Sequence, residues 1–375
     1  MLKTAWKFIK FDKAKSIGVI VGILISTFLI GQQLGVFIFL TGLMKSLATN
    51  VKADIWVVDS KTQDVNQLGF LDIRTLRSLE AYPGVKEAFP ILISGAVANF
   101  KNGTSGAITL IGVDLNQLNS VLDSSNIMEG KSRDLLTDGA ISAEFFDKKN
   151  LGDSIHPGTE LEINSKRAFF ALETKGFRGF GSSYSLTTIE RARYYSNQSL
   201  NNISAVLIKV KPGYKAEDIV KTINASQYGV RAWTSSQLAD SSVKKILSSS
   251  GIALSTGTLI IFALISGFFI IGLTMYSSAL DRLKDYGTLK AIGAGNAYIS
   301  RLILFQAFLF ALVGFLIGFL FLEGFRNGVA KSGLIFHFPI LLTLSIFLII
   351  VLISLGGASF ALGRIRGVEP GAVFR

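Results

Sequence analysis

The segment "SALDRLKDYGTLKAIGAGNAYISRL", residues 278–302, packs Arg, Lys, Asp and Gly between two long apolar runs. Neither flank carries a charge over about 20 residues, the length that crosses a bilayer core as a helix. The segment is therefore a short polar turn between two membrane crossings. The rest of the chain is read outward from it.

Composition agrees. Of 375 residues, 49% are hydrophobic and 17% charged, with 29 Phe. Such a balance, with a positive mean hydropathy, belongs to a membrane protein rather than an ordinary soluble domain. The absence of Cys excludes disulfide frameworks, thiolate zinc sites and Cys nucleophiles.

Four uncharged stretches are long enough to span: 17–44, 251–280, 302–322 and 332–363. The first is too long for a signal-peptide core and lacks a small-residue cleavage site, so it reads as a retained anchor. Five Lys precede it, between Lys3 and Lys15. Arg282, Lys284, Lys290 and Arg301 lie between spans two and three, and Arg364, Arg366 and Arg375 follow span four. The turn between spans three and four holds only Arg326 and Lys331. The positive-inside rule then puts both termini, the segment 281–301 and the tail 364–375 in the cytoplasm. It accounts for most of the net charge of +12, leaving no argument for nucleic acid. Residues 1–16 read either as an amphipathic helix on the inner membrane surface, with Leu2, Trp6 and Ile9 on one face, or as a basic stop for span one.

Span one, about 28 residues or roughly 42 Å as helix, exceeds a hydrocarbon core of about 30 Å. Tilt absorbs such an excess. The reading preferred here is that spans one and two continue outward as a stalk carrying residues 45–250. That external segment reads as α+β. Strands are expected at 53–59, 90–100, 106–114, 159–164, 167–177 and 204–210, and helices at 72–82, 138–150, 186–196 and 215–225. Pro83-Gly84, Pro157-Gly158 and Pro212-Gly213 mark turns. The pattern allows two subdomains, an outer one near 115–200 and an inner one built from both ends of the segment.

No catalytic site is legible. The chain has no G-x-x-x-x-G-K-[ST] phosphate loop and so is not expected to hydrolyse ATP itself. Its two His, His156 and His337, lie far apart in sequence, which argues against a metal site or triad. Ser241 to Lys244 spells S-x-x-K without the companion motifs of acyl enzymes and reads as chance in a Ser-rich linker. Asn102-Gly103-Thr104 spells a glycosylation acceptor, also read as chance. The spans offer small residues four apart instead: Gly18 and Gly22, Gly31 and Gly35, Gly314 and Gly318. Such faces let helices approach closely, within the monomer or between subunits. Gln32 and Gln33 in span one either line a substrate path or hydrogen-bond a neighbouring helix.

The motif "DRLKDYGTLKAIGA" (281–294) resembles the coupling segment of MacB/FtsX-like permeases, the type VII ABC transporters, with Asp281 and Asp285 where Glu is usual. "PGVKEAFPI" (83–91), "ITLIGVD" (108–114) and "GVEPGAVFR" (367–375) resemble further motifs of that family, so the resemblance covers most of the chain. "GVIVGILISTFLIGQQLGVF" followed by "ADIWVVD" is most similar to the DevC-like branch.

The resemblance implies an α-helical membrane protein with four transmembrane helices and an α+β extracytoplasmic domain between helices one and two. It implies a non-catalytic permease subunit in the bacterial inner membrane. Its partners would be a separate ABC ATPase that carries ATP and Mg, a second permease copy, a membrane-fusion adaptor, an outer-membrane channel and membrane lipids. The implied function is export of an amphiphile, lipid, peptide or drug by mechanical transmission. The alternatives are an FtsX-type signalling subunit that activates a cell-wall hydrolase, and a haem exporter. In the coupling segment, Tyr286, Leu289 and Ile292, each three apart, are expected to form an apolar stripe entering a groove on the ATPase. Arg282, Asp285 and Lys290 would be its polar rim, Gly287 would allow close approach, and Gly293 would cap the helix.

Overall fold

A computed structural model of the chain describes residues 13–122, 124–151 and 155–366. Most of the expected N-terminal surface helix and the motif at 367–375 lie outside the described residues. The chain forms two compact units, a soluble one, Leu40–Gly251, and a membrane one built from the chain before it and after it.

The membrane unit contains four helices long and apolar enough to cross a bilayer: span one (Lys13–Asn50, which runs on into the soluble unit), span two (Ile252–Asp281), span three (Asn296–Ala330) and span four (Ile340–Arg366). Their packing follows from glycine. A Cβ on Gly314 would lie 2.5 Å from Ile23, and one on Gly318 would lie 2.8 Å from Thr27. One on Gly31 would collide with Leu322. Each contact advances by four residues on both helices, so spans one and three run parallel, backbone against backbone. Span two runs antiparallel to span one, with Gly18 against Thr274 and Gly22 against Ile270. All six glycines expected to pack helices are thus occupied within the unit.

Several helix ends differ from the expected ones. Span one does not stop at 44, because Leu47 and Ala48 continue as buried residues of the soluble core. Span three begins at Asn296, since Arg301 sits on its exposed face and a charge there does not end the helix. Span four begins at Ile340 rather than 332, after a turn at Gly333 (φ +84) and an irregular run that ends at Pro339.

The soluble unit is built on a ten-stranded sheet. In chain order the strands are β1 (Ile55–Asp59), β2 (Leu71–Asp72), β3 (Val85–Phe100), β4 (Ser105–Val113), β5 (Ile127–Glu129), β6 (Ala140–Glu144), β7 (Glu160–Ile163), β8 (Lys166–Thr174), β9 (Ser183–Thr188), β10 (Asn202–Ile203), β11 (Ala205–Val210) and β12 (Val230–Thr234). β2 and β10 form a separate pair. β3 is 16 residues long and joins the two halves. It pairs antiparallel with β11 near its start, β4 beyond, and β7 at its end. The two anticipated subdomains therefore share one sheet. Alternation sorts β1 between two cores: Ile55 and Val57 enter one, Trp56 and Val58 the other. Burial on both faces explains why these strands read as unbroken apolar runs.

Two expectations fail here. Residues 138–150, expected as a helix from their Ala and Glu, form β6 and a 3-10 turn, Phe145–Asn150. β6 is buried at all five positions and pairs in parallel with β8, so sheet pairing overrides local propensity. The Ser-rich "linker" is a helix, Ser235–Ser250, started by a capping box at Thr234 and Gln237. Span two therefore does not extend before Ile252: the helix Ser235–Ser250 is separate from it, divided by Gly251 in the left-handed conformation (φ +67). The three Pro-Gly turns form as expected, each Gly at positive φ.

Candidate functional site

The segment expected to be a coupling helix, called the coupling helix below, is helical over Leu283–Ala291, preceded by Arg282 and joined to span three by a short turn. Its end is a Schellman motif: Ala294 N–H donates to the Leu289 carbonyl at 2.9 Å, and Gly293 N–H to that of Lys290 at 3.0 Å. Gly293 takes φ +98, which a side chain would resist, and turns the chain back toward span three.

The helix has two faces, and they are not the ones expected. Tyr286 is 2% exposed and lies in the membrane-unit core with Ile299, Leu302 and Ile303. Burial pushes its phenol up to about 12. Leu289 is half-buried against the same core. Arg282 and Gly287 are buried as well. Of the expected apolar stripe only Ile292 faces out, at 77% exposure. Tyr286 and Leu289 therefore hold the helix on its own bundle, and Arg282 is not a rim charge. The outward face is Asp281, Lys284, Asp285, Thr288, Ala291 and Ile292, with Lys290 half-buried beside it. Lys284 and Thr288 were missed. Setting Tyr286 inward and stepping by 3.6 residues would have found them.

Gln32 and Gln33 are half-buried in span one. A more enclosed amide, Gln306 in span three, is 6% exposed, and its Nε2 has no hydrogen-bond partner. Among the described glycines of the unit, the tightest approach to backbone lies elsewhere. A Cβ on Gly357 would sit 2.9 Å from both the Cα and N of Gly272, joining spans two and four.

In the soluble unit the buried carboxylate Glu144 accepts hydrogen bonds from the N–H groups of Gly176 (2.7 Å) and Phe177 (3.1 Å) and from the Thr174 hydroxyl (2.8 Å). Burial raises its pKa despite these donors. Next to it Arg178 bonds Asp147 through Nε (3.1 Å) and Nη2 (2.8 Å). The Arg178 carbonyl accepts from Ser46 Oγ at 2.6 Å. This ties the loop after β8 to the last turns of the helix that begins as span one. Ser241 donates to the Gln63 carbonyl at 2.7 Å, and Ser242 accepts from Val65 N–H at 2.8 Å. These hydroxyls fasten a loop, and no nucleophile geometry surrounds them.

Glu129, His156 and Glu173 offer ligand atoms within 4.8 Å of one another. The Lys148 ammonium lies 2.6 Å from Glu173 and already supplies positive charge there. His337 belongs to the membrane unit. A cleft of about 970 Å³ opens beside Phe100, Leu161, Arg167 and Phe169, with mixed charges at its rim.

Residues 257–370 match the family "FtsX-like permease C-terminal", a region that includes the coupling helix and spans three and four. No curated protein matches the chain. Among solved structures, this chain is similar to the periplasmic region of MacB from Actinobacillus actinomycetemcomitans. The identity is 8%, the TM-score 0.39, and the match covers 54% of this chain and 96% of that one. It is also similar to the extracellular domain of the noncanonic ABC-type transporter YknZ from Gram-positive bacteria, at 12% identity and TM-score 0.35, covering 48% and 98%.

Proposed function

We propose that this chain, an FtsX-like permease over residues 257–370, is the membrane subunit of an ABC exporter that works by mechanical transmission. The observation that carries the reading is the coupling helix. It lies between spans two and three, anchored inward by Tyr286 and offering an exposed, mixed-charge face that ends on Ile292. A helix fixed on one side to a bundle and open on the other is suited to receive a push from a soluble partner. The partner is an ATPase, which supplies the hydrolysis that a chain without a phosphate loop lacks.

In this reading both termini and the coupling helix are cytoplasmic, in the bacterial inner membrane, and the soluble unit is outside. Movement of the coupling helix passes to spans two and three. Span one follows, because Gly314 and Gly318 seat the Ile23 and Thr27 side chains directly against the backbone of span three. The helix of span one ends inside the soluble core, where Ser46 holds the loop at Arg178. Cargo would be an amphiphile, lipid, peptide or drug, passed to an adaptor and outer-membrane channel. A second permease copy would complete the assembly.

The test is co-expression with a candidate ABC ATPase. The purified chain alone is expected to hydrolyse no ATP, and the complex is expected to copurify and turn over nucleotide. Robust hydrolysis by the chain alone, or failure of any ABC ATPase to copurify, would overturn the reading.

A further inference from the structure

The linker between spans three and four is more than a turn. Span three ends at Ala330 and span four begins at Ile340, and between them residues 334–339 form neither helix nor strand. Phe336 is 3% exposed and pins this run. Its ring meets those of Phe325 at 6.1 Å, Phe338 at 6.4 Å and Phe39 at 6.4 Å between centroids. With Phe336 fixed inward, its neighbours are held at the mouth of a pocket of about 570 Å³. Ile335, Phe336 and Phe338 form its apolar wall, and Arg326, Asn327 and His337 its polar edge.

The charge of this region is one-sided. Glu323 is the only acidic residue in 302–366, against Arg326 and Lys331 in the linker region. Glu323 pairs with Arg326 at 2.6 Å through Nη2, one nitrogen of a guanidinium with five N–H donors. A concave apolar surface with a few convergent polar groups is the form of a small-ligand site. An aromatic and Arg pair at the end of a membrane-length helix also lies at headgroup depth.

We propose that this pocket binds a phospholipid with an anionic headgroup drawn from the surrounding bilayer. The headgroup phosphate is held by Arg326, Asn327 and His337, and the upper part of one acyl chain lies on Ile335 and Phe338. Arg presents a planar fork that matches a phosphate, so anionic lipid is favoured over zwitterionic lipid of the same chains. The proposal needs only that these helices cross a bilayer. It stands or falls independently of the ATPase partnership.

The experiment places the full-length chain in bilayers of equal phosphatidylglycerol and phosphatidylcholine, then extracts it and counts retained lipids by native mass spectrometry. The wild type is expected to retain phosphatidylglycerol over phosphatidylcholine by about fivefold, the scale of one charge-assisted contact at a half-exposed site. Arg326→Gln with His337→Gln should bring retention near parity. Lys331→Gln removes an exposed cation that does not line the pocket and should leave the preference unchanged. Glu323→Gln frees the guanidinium and should raise the preference, so the proposal does not depend on loss-of-function variants alone. Three results would overturn it: parity in the wild type, an undiminished preference in the double variant, or an equal loss in Lys331→Gln, which would mean diffuse surface charge.

Discussion

Gly272 and Gly357 bring spans two and four into backbone contact: a Cβ on Gly357 would fall 2.9 Å from the Cα and N of Gly272. No side chain can rotate away from such a contact, because the atoms in the way belong to the backbone. Gly357→Ala is therefore expected to force the helices apart, at a cost of about 1–3 kcal/mol. Gly324, also in a membrane-length helix, faces open space. Gly324→Ala should be neutral or slightly stabilising, since Ala is the better helix former. Thermal unfolding of the two variants in the same detergent measures the difference. Equal melting temperatures would show that the close approach carries no stability.

The two faces of the coupling helix predict two different failures. Ile292→Asp changes an outward side chain, so the chain should fold normally but lose affinity for its ATPase, by about 2 kcal/mol if Ile292 is a central anchor. Tyr286→Ala empties a buried position and should lower thermal stability with or without the partner, by about 3–5 kcal/mol, the range for buried aromatics. Pull-down and melting curves on both variants separate the cases. Normal assembly in Ile292→Asp would move the docking face elsewhere.

The proposed orientation is open to labelling. Ser105 is exposed at the start of β4, and Thr288 is exposed on the coupling helix. The native chain has no Cys, so a single introduced Cys reports alone. Ser105→Cys should react with an impermeant thiol reagent in cells permeable only at the outer membrane. Thr288→Cys should react only after lysis. The reverse pattern would invert the protein in the membrane.

Glu144 and Glu87 should shift stability with pH in opposite directions. Burial raises the Glu144 pKa above 4.5, so the folded state binds its proton more readily than the unfolded chain. Its contribution is fully present below about 4.5 and is lost as pH rises through the folded value. Glu87 is lowered, first by its hydrogen bond from Lys209 and then by that from Gln117. Its contribution is present above about 4.5 and is lost as pH falls through the lowered value. Denaturation of wild type, Glu144→Gln and Glu87→Gln from pH 3 to 7 gives the test. The wild-type advantage over Glu144→Gln should shrink toward pH 7, and that over Glu87→Gln should shrink toward pH 3. Parallel curves would refute both.

Much of this protein was legible in its sequence. The absence of charge over four long stretches marks the spans, because a bilayer tolerates almost no unpaired charge and needs a fixed length of apolar helix. The three Pro-Gly pairs mark turns, because Pro fixes φ and Gly admits the positive φ that follows. The small-residue spacing in spans one and three marks faces of close helix approach, since residues four apart share a face, but not which helix fills each.

What the sequence left open was decided by long-range partners. Residues 140–144 are a strand because β8 is there to pair with them. Gly272 and Gly357 meet only because spans two and four are neighbours, and neither sits in a G-x-x-x-G face. The coupling helix offered an apolar stripe on paper, and spacing cannot say whether such a stripe faces a partner or its own core. The bundle beneath it does: spans two and three bury Tyr286, so Ile292 and the polar face turn outward. Periodicity fixes which residues share a face, and tertiary packing fixes where that face points.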